Sequence, residues 1–227
     1  MGMEIENKKA AGEEAVKYIK DGMVVGLGSG STVNWMLKKL GERIKTEGLK
    51  ITGIPTSLKT ERLAKELGIP LTDFSDMEKI DVAIDGADEV DQHFNLLKGG
   101  GGSLVREKIV DAIADELIVI IDDSKRVDQL GAFPLPVEVV PFGWQVTANR
   151  IAELGCDPVL RKKDGEVFVS DNGNYILDCR FDHILDPEDL HKQLKSLVGV
   201  VETGLFTGMA DKVISGVDGR PKETTRK

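Results

Sequence analysis

The sequence predicts an α/β fold, a parallel sheet wrapped by helices, with a smaller α+β unit inserted towards the C-terminal end. Three observations predict it. Short apolar runs alternate with amphipathic stretches between residues 4 and 121, the pattern of strands joined by crossover helices. The pattern changes at Phe133-Pro134-Leu135-Pro136, beyond which strand-like runs and a hairpin signal dominate. A last apolar run, Lys212 to Ile214, is placed to return to the first sheet.

Residues 4–20 read as a helix of good helix formers with Ile5, Gly12, Ala15, Val16 and Ile19 along one stripe. Met23 to Leu27, between Gly22 and Gly28, reads as a buried strand. A second helix starts at Ser31, with Val33, Met36, Leu37, Leu40 and Ile44 on one face. Lys50 to Ile54 is the next strand, and Ser57 to Leu67 a helix carrying a Glu61–Lys65 pair at i,i+4. Asp81 to Ile84 is a third strand. Ser103 opens a helix to about Ala114, and Leu117 to Ile121 is a fourth strand.

In the second part, Val137 to Val140 reads as a strand and Gln145 to Leu154 as a helix. Asn-Gly within Ser170-Asp171-Asn172-Gly173-Asn174 is a hairpin signal between two runs. Tyr175, Leu177, Cys179 and Phe181 share one face of the second run. A helix with Leu190, Leu194 and Leu197 inward and a strand around Val200 to Phe206 follow. The expected division is residues 1–131 with 208–227 as the main domain and 132–207 as the insert. Gly219 to Lys227 reads as loose.

Bulk composition narrows the function. A hydrophobic content of 41% over 227 residues supports a real core. A net charge of −9 argues against nucleic acid or acidic membranes as partners. Cys156 and Cys179 form no CxxC and read as ordinary buried thiols of a reducing compartment. The N-terminal residues lack an apolar signal segment, and Glu6 breaks the myristoylation pattern. No apolar run reaches membrane-spanning length, so a cytoplasmic location is expected.

Three segments carry chemistry. Gly26-Leu27-Gly28-Ser29-Gly30-Ser31-Thr32 joins a strand to a helix, so backbone amides and hydroxyls can converge on an anion at the helix start. It lacks the Lys-Ser/Thr of a Walker loop and the third glycine of a dinucleotide fingerprint, and Ile54-Pro55-Thr56-Ser57 supplies no acid for a ribose 2′-hydroxyl. The bland alternative is a plain helix cap after a tight turn. Asp85-Gly86-Ala87-Asp88 follows a strand, where carboxylates can accept bonds from sugar hydroxyls or move protons. Glu89 and Asp91 read as solvated, and a magnesium site is the alternative for the acidic segment.

Lys98-Gly99-Gly100-Gly101-Gly102 is the sharpest local signal. A glycine run is entropically costly, lets backbone approach a ligand, and sets an ammonium where it can steady an oxyanion. Glu107 lies in the first turns of the next helix. With Val105, Ile109, Ala112 and Ile113 read as the buried stripe, Glu107 faces solvent or a cleft, where it can act as a base. Lys125 follows Asp122-Asp123-Ser124 and either meets a substrate anion or pairs with Asp122 or Asp123. Lys8 in the first helix is a weaker phosphate candidate, with a solvated charge the favoured reading. His93, His183 and His191 show no zinc or triad spacing.

Taken together, these motifs, with Arg106-Glu107, Asp123-Ser124-Lys125 and Phe133-Pro134-Leu135-Pro136-Val137-Glu138-Val139, resemble type A ribose-5-phosphate isomerases in order over nearly the whole chain. The resemblance implies a Rossmann-like main domain, a ferredoxin-like small domain and a homodimer or homotetramer. It implies interconversion of ribose 5-phosphate and ribulose 5-phosphate with neither metal nor organic cofactor. It gives Glu107 the proton shuttle between C1 and C2, Lys98 the enediolate oxygen, and Asp85 with Asp88 the sugar hydroxyls and ring opening, within the Asp85-Gly86-Ala87-Asp88 contact segment. Ser29, Gly30, Ser31, Thr32, Gly99, Gly100, Gly101 and Lys125 would hold the sugar phosphate. Ser29 stands where threonine is common in the family, and Gly102 where a small residue such as alanine is frequent. A sugar-phosphate sensor would need a basic helix-turn-helix, which is not evident, and a nicotinamide dehydrogenase is disfavoured by the broken fingerprint.

Overall fold

The computed structural model describes residues 2–77 and 79–226. In chain order its strands are β1 (Val24–Leu27), β2 (Thr52–Pro55), β3 (Val82–Asp85), β4 (Glu89–Val90), β5 (Leu96–Leu97), β6 (Leu117–Asp122), β7 (Leu135–Val139), β8 (Asp157–Leu160), β9 (Lys162–Lys163), β10 (Glu166–Val167), β11 (Tyr175–Arg180), β12 (Val200–Thr203), β13 (Leu205–Phe206), β14 (Lys212–Val217) and β15 (Arg220–Thr225). The helices are α1 (Gly2–Ala15), α2 (Ser31–Glu47), α3 (Leu58–Glu66), α4 (Leu104–Ala112), α5 (Trp144–Ala152) and α6 (Pro187–Lys195).

The chain separates into two compact units. The first contains residues up to Ala87, Arg106–Lys125 and the segment from Met209 on; the second contains Asp88–Val105 and Arg126–Gly208. The first unit is a six-stranded sheet in the order β15-β14-β6-β3-β1-β2. All its pairings are parallel except that of the edge strand β15 with β14. Its strands are apolar runs because helices cover them: β6, Leu117–Asp122, is buried at every position. Val25, Leu27, Ile84, Ile118 and Ile120 pack with Val33, Met36, Leu37 and Leu40 of α2 and Ala11 and Ala15 of α1 in one core. α1 ends earlier than the 4–20 reading, passing into a 3-10 turn at Val16–Tyr18. α3 starts where expected because Ser57 accepts a bond from the Thr60 amide at 3.0 Å.

The second unit holds a four-stranded antiparallel sheet, β12-β7-β11-β8. Read along the chain with α5 and α6, it is a β-α-β-β-α-β arrangement, the ferredoxin-like pattern. Its core includes Leu135, Val137, Val139, Ile151, Leu177, Cys179 and Leu194. Half-buried Cys156 packs there too, and neither cysteine is in a disulfide. The Cys156 thiol donates to the Ile151 carbonyl at 3.6 Å and the Cys179 thiol to the Leu177 carbonyl at 3.7 Å. The neighbouring Cys156 and burial push Cys179 above the ordinary thiol range, while Cys179 beside it holds Cys156 below that range against the opposing effect of burial.

Four expectations are corrected here. The second unit is larger than residues 132–207: it includes 88–105 and 126–131, because β5 pairs with β13 on one side and β4 on the other, and the amides of Gly131 and Phe133 bond Glu89 at 2.8 and 2.5 Å. The run before the Asn-Gly turn does not form an extended hairpin with β11, apart from a Val169–Tyr175 bridge; β8 and β7 occupy the two edges of β11. The segment after Gly219 is not loose, since Arg220–Thr225 pairs residue by residue with β14. Its charges and Pro221 are what an edge strand carries. Finally, α4 buries Leu104, Glu107, Val110 and Asp111 rather than the Ile109 and Ile113 stripe, which is about half exposed.

Candidate active site

In the first unit, the parallel strands bring three of the sequence motifs to one edge of the sheet. The loop 28–32 follows β1, Asp85 ends β3, and the 3-10 turn Asp123–Lys125 follows β6, and β1, β3 and β6 are neighbours. The chain leaves β1 towards β2 on one side and returns to β3 on the other, so the carboxyl ends of β1 and β3 flank the switch point where open α/β sheets bind ligands.

The glycine loop is packed against Asp85. Gly28 has no room for a side chain: a Cβ there would lie 2.6 Å from the Asp85 Cα. Asp85, 1% exposed, accepts bonds at Oδ1 from the Ser29 amide at 3.0 Å and the Gly86 amide at 2.7 Å. Gly30, at φ 120°, starts α2 without a side-chain cap. The amides of Gly30, Ser31 and Thr32 have no acceptor among the described residues, which leaves the N-terminus of a 17-residue helix open to an anion.

The Ser29 hydroxyl is engaged inward. It lies 2.9 Å from Thr56 Oγ1, 2.8 Å from Ser57 Oγ and 3.1 Å from Thr60 Oγ1, while Thr60 donates to the Gly28 carbonyl at 2.8 Å. Thr56, Ser57 and Thr60 are buried. Sequence reading missed this cluster; its signal was the density of hydroxyls at the end of β2, where only the missing acid was noted. Lys125 is half-buried and makes no ion pair among the described residues, and Asp122 instead accepts the Ser124 amide at 3.2 Å and the Ser124 hydroxyl. Lys8 is not a free solvated charge but pairs with Glu4 at 2.5 Å along α1, which holds the Glu4 carboxyl below its ordinary range.

Glu107 is 5% exposed, on the buried face of α4. A Cβ at Gly26 would sit 2.6 Å from Val110 Cγ1, so α4 lies against β1 at that point. A crossover helix runs antiparallel to the strands it joins, so Glu107, one turn before Val110, lies on the side of the strands' carboxyl ends. A carboxylate at this depth is expensive unless partnered and is the kind of group that functional sites retain.

In the second unit, Lys98 is 2% exposed, at the end of β5. Its amide donates to the Gly204 carbonyl at 2.8 Å, and its ammonium lies 5.4 Å from the centre of the Phe206 ring. The loop that follows uses the freedom of glycine twice, at Gly99 (φ 102°) and Gly102 (φ 85°). A Cβ at Gly100 would meet the Asp88 carboxylate and the Phe133 ring within 3.0 Å. Asp88 accepts the Gly100 amide at 2.8 Å. Glu89 and Asp91, expected to be solvated, are buried and satisfied: Glu89 by the two amides given above, Asp91 by the His93 and Asn95 amides at 2.8 and 2.9 Å and the Asn95 side chain. They shape the loop rather than bind a ligand. No group of three or more His, Cys, Asp or Glu among the described residues could hold a metal ion. No helix among them is long and apolar enough to cross a membrane.

Residues 52–219 match the family model of ribose 5-phosphate isomerase A (phosphoriboisomerase A). The chain is 55% identical over 217 residues to ribose-5-phosphate isomerase A 2 of Oceanobacillus iheyensis, covering 96% of this chain and 97% of that protein. It is 52% identical to ribose-5-phosphate isomerase A of Bacillus mycoides, over 95% and 98% of the two chains. Among solved structures, ribose 5-phosphate isomerase A from Methanocaldococcus jannaschii superposes with TM-score 0.92 at 43% identity, over 96% and 97% of the chains. A D-ribose-5-phosphate isomerase in complex with phospho-erythronic acid superposes with TM-score 0.94 at 41% identity, over 96% and 97%. By full-length similarity in both sequence and structure, the chain belongs to the ribose 5-phosphate isomerase A family.

Proposed function

We propose that the chain carries out its family's reaction, the aldose–ketose interconversion of ribose 5-phosphate and ribulose 5-phosphate, with Glu107, Lys98 and Asp85 as its catalytic residues. The observation that carries this assignment is the burial of Glu107 and Lys98, two side chains that a fold seldom buries for stability alone. A proton beside a carbonyl is weakly acidic, so its removal needs a base and a donor for the oxyanion that develops. Glu107 takes the proton from C2 and returns it to C1, and the Lys98 ammonium steadies the enediolate oxygen. Asp85 and Asp88 accept hydrogen bonds from the sugar hydroxyls and assist ring opening, with the Gly86-Ala87 backbone between them. General acid–base help supplies about 10²–10⁴-fold and the oxyanion donor roughly 10²–10³-fold.

The phosphate is held by the backbone of Gly30, by Ser31 and Thr32, by the glycine loop Gly99–Gly101 and by Lys125. The open amides at the start of α2 support this part of the assignment. Ser29, expected among the phosphate contacts, spends its hydroxyl on Thr56 and Ser57 and its amide on Asp85, and so shapes the loop rather than donating to the phosphate.

The reaction as assigned needs neither metal nor organic cofactor, since a carboxylate and an ammonium supply both functions. A net charge of −9 supports a small-molecule substrate without nucleic acid or membrane partners, in the cytoplasm. Assembly into a homodimer or homotetramer belongs to the same reading, on the family resemblance alone.

The test is an isomerisation assay in EDTA with the Glu107→Gln variant. Wild-type turnover survives EDTA, the variant loses about 10²–10⁴-fold in kcat, and calorimetry shows that it still binds ribose 5-phosphate. Full turnover by the variant removes Glu107 from the mechanism; loss of wild-type turnover in EDTA removes the metal-free reading.

A further inference from the structure

Arg161, in the connection between β8 and β9, was not singled out by its sequence. Its guanidinium is held side-on by Asp178 of β11, with Nε to Oδ2 at 2.9 Å and Nη2 to Oδ1 at 2.5 Å. That bidentate geometry fixes the plane of the guanidinium and leaves Nη1 for other acceptors. Nη1 donates to the Gly99 carbonyl at 2.8 Å and the Gly100 carbonyl at 3.2 Å. The Phe168 ring lies 5.7 Å from the same guanidinium and packs over Gly102. A side chain more than sixty positions along the chain thus grips the backbone of the glycine loop.

The grip has a directional consequence. A trans peptide points its N–H opposite to its C=O. Arg161 holds the Gly99 carbonyl while Asp88 accepts the Gly100 amide, so the Gly99–Gly100 peptide is pinned at both ends. The next peptide is pinned only at the Gly100 carbonyl, which turns the Gly101 N–H away from Arg161. That amide has no acceptor among the described residues, and a Cβ at Gly101 would find open space. The buried Gly99 amide also has no acceptor among them. Four glycines in succession would sample many conformations if left alone. The clamp selects one that leaves two donors without an acceptor among the described residues.

We propose that Arg161, locked by Asp178, is a positioning residue for substrate binding: it orients the Gly99–Gly101 backbone so that the Gly99 and Gly101 amides donate to the anionic sugar phosphate. The proposal rests on the reading that this loop meets the substrate.

Steady-state kinetics of Arg161→Ala, Arg161→Lys and Asp178→Asn test it, with thermal melts to establish folding. Loss of one to two oriented hydrogen bonds raises KM about tenfold or more, while kcat stays within about threefold because Lys98 keeps its own anchors on Gly204 and Phe206. Arg161→Lys is impaired like Arg161→Ala, since an ammonium cannot hold a carboxylate side-on and two carbonyls together. The double variant Arg161→Ala/Asp178→Asn is no worse than Arg161→Ala, and guanidinium at tens of millimolar lowers the KM of Arg161→Ala. Folded variants with unchanged KM, or with a fall in kcat at constant KM, overturn the clamp. If Arg161→Ala fails to fold, Arg161→Lys and Asp178→Asn decide by the same criterion. Calorimetric affinity for ribose 5-phosphate on the Glu107→Gln background reads the clamp without turnover. Failure of the isomerase assignment, seen in the wild-type assay, is thereby separable from failure of the clamp.

Discussion

The two glycine loops are held by different physics. Gly28–Thr32 is wedged against its neighbours: Gly28 against the backbone of Asp85, and Ser29 within neutral hydroxyls from the next βα turn. Gly99–Gly102 is wider in its conformational choices, with two positive φ values, and is tied by ionic groups: Asp88 on an amide and the Asp178-locked Arg161 on two carbonyls. The first loop caps a long helix, so its amides already converge on a point, and close packing suffices to keep them there. The second leads from a two-residue strand and needs an external grip to present its amides in one direction. Steric wedging closes Gly28 to any added atom; in the clamped loop Gly100 and Gly102 are filled by Asp88, Phe133 and Phe168, and Gly101 alone opens onto free space.

The largest effect that would sharpen this contrast is expected at Gly28. In Gly28→Ala the new methyl meets Asp85 backbone that cannot rotate away, so we expect a loss of about 3 kcal/mol or more in a denaturant melt and isomerase activity near background. A Gly28→Ala protein with wild-type stability would break the wedge description. Thr60→Val comes next. It removes the donor to the Gly28 carbonyl and the contact with Ser29, for a cost of about 1–3 kcal/mol, and Thr60→Ser recovers most of it. Equal destabilisation by both variants would mean that the Thr60 methyl, not its hydroxyl, supports the loop. The smallest effect on stability is expected at Gly101→Ala, within about 1 kcal/mol, because φ there is not in the left-handed region and no atom lies near the new Cβ. Its KM should nonetheless rise if substrate approaches this backbone. An unchanged KM would move the sugar phosphate away from Gly101.

Much of the architecture was legible because it is locally encoded. The first unit follows the alternation of apolar runs and amphipathic stretches, and β14 returns to the sheet beside β6 as its Val213 and Ile214 required. The glycine loops stand where their residues announced them. Burial of polar groups was not legible. On α4, the 3.6-residue period favoured Ile109 and Ile113 as the inward stripe, yet the helix turns Glu107 and Asp111 inward with Leu104 and Val110. Glu89 and Asp91 looked like solvated charges because their satisfaction comes from backbone amides, which leave no mark in side-chain pattern. β15 looked loose because edge strands carry charge and proline as loose tails do. Glu138 is similar: buried on β7, it accepts bonds from Ser170, Asn172 and Asn174 and so holds the Asn-Gly turn that had been read as a purely local hairpin signal.

By itself, the order of residues determined the succession of strands and helices, the placement of the flexible glycines and the family, because periodicity and backbone freedom are properties of neighbouring residues. Only the tertiary structure decided which carboxylates lie inside, that Ser29 turns its hydroxyl to three others, and that Arg161 reaches back to the glycine loop. Those outcomes depend on hydrogen-bond partners far apart in the chain, and a donor's choice among distant acceptors is made by packing geometry that no local pattern contains.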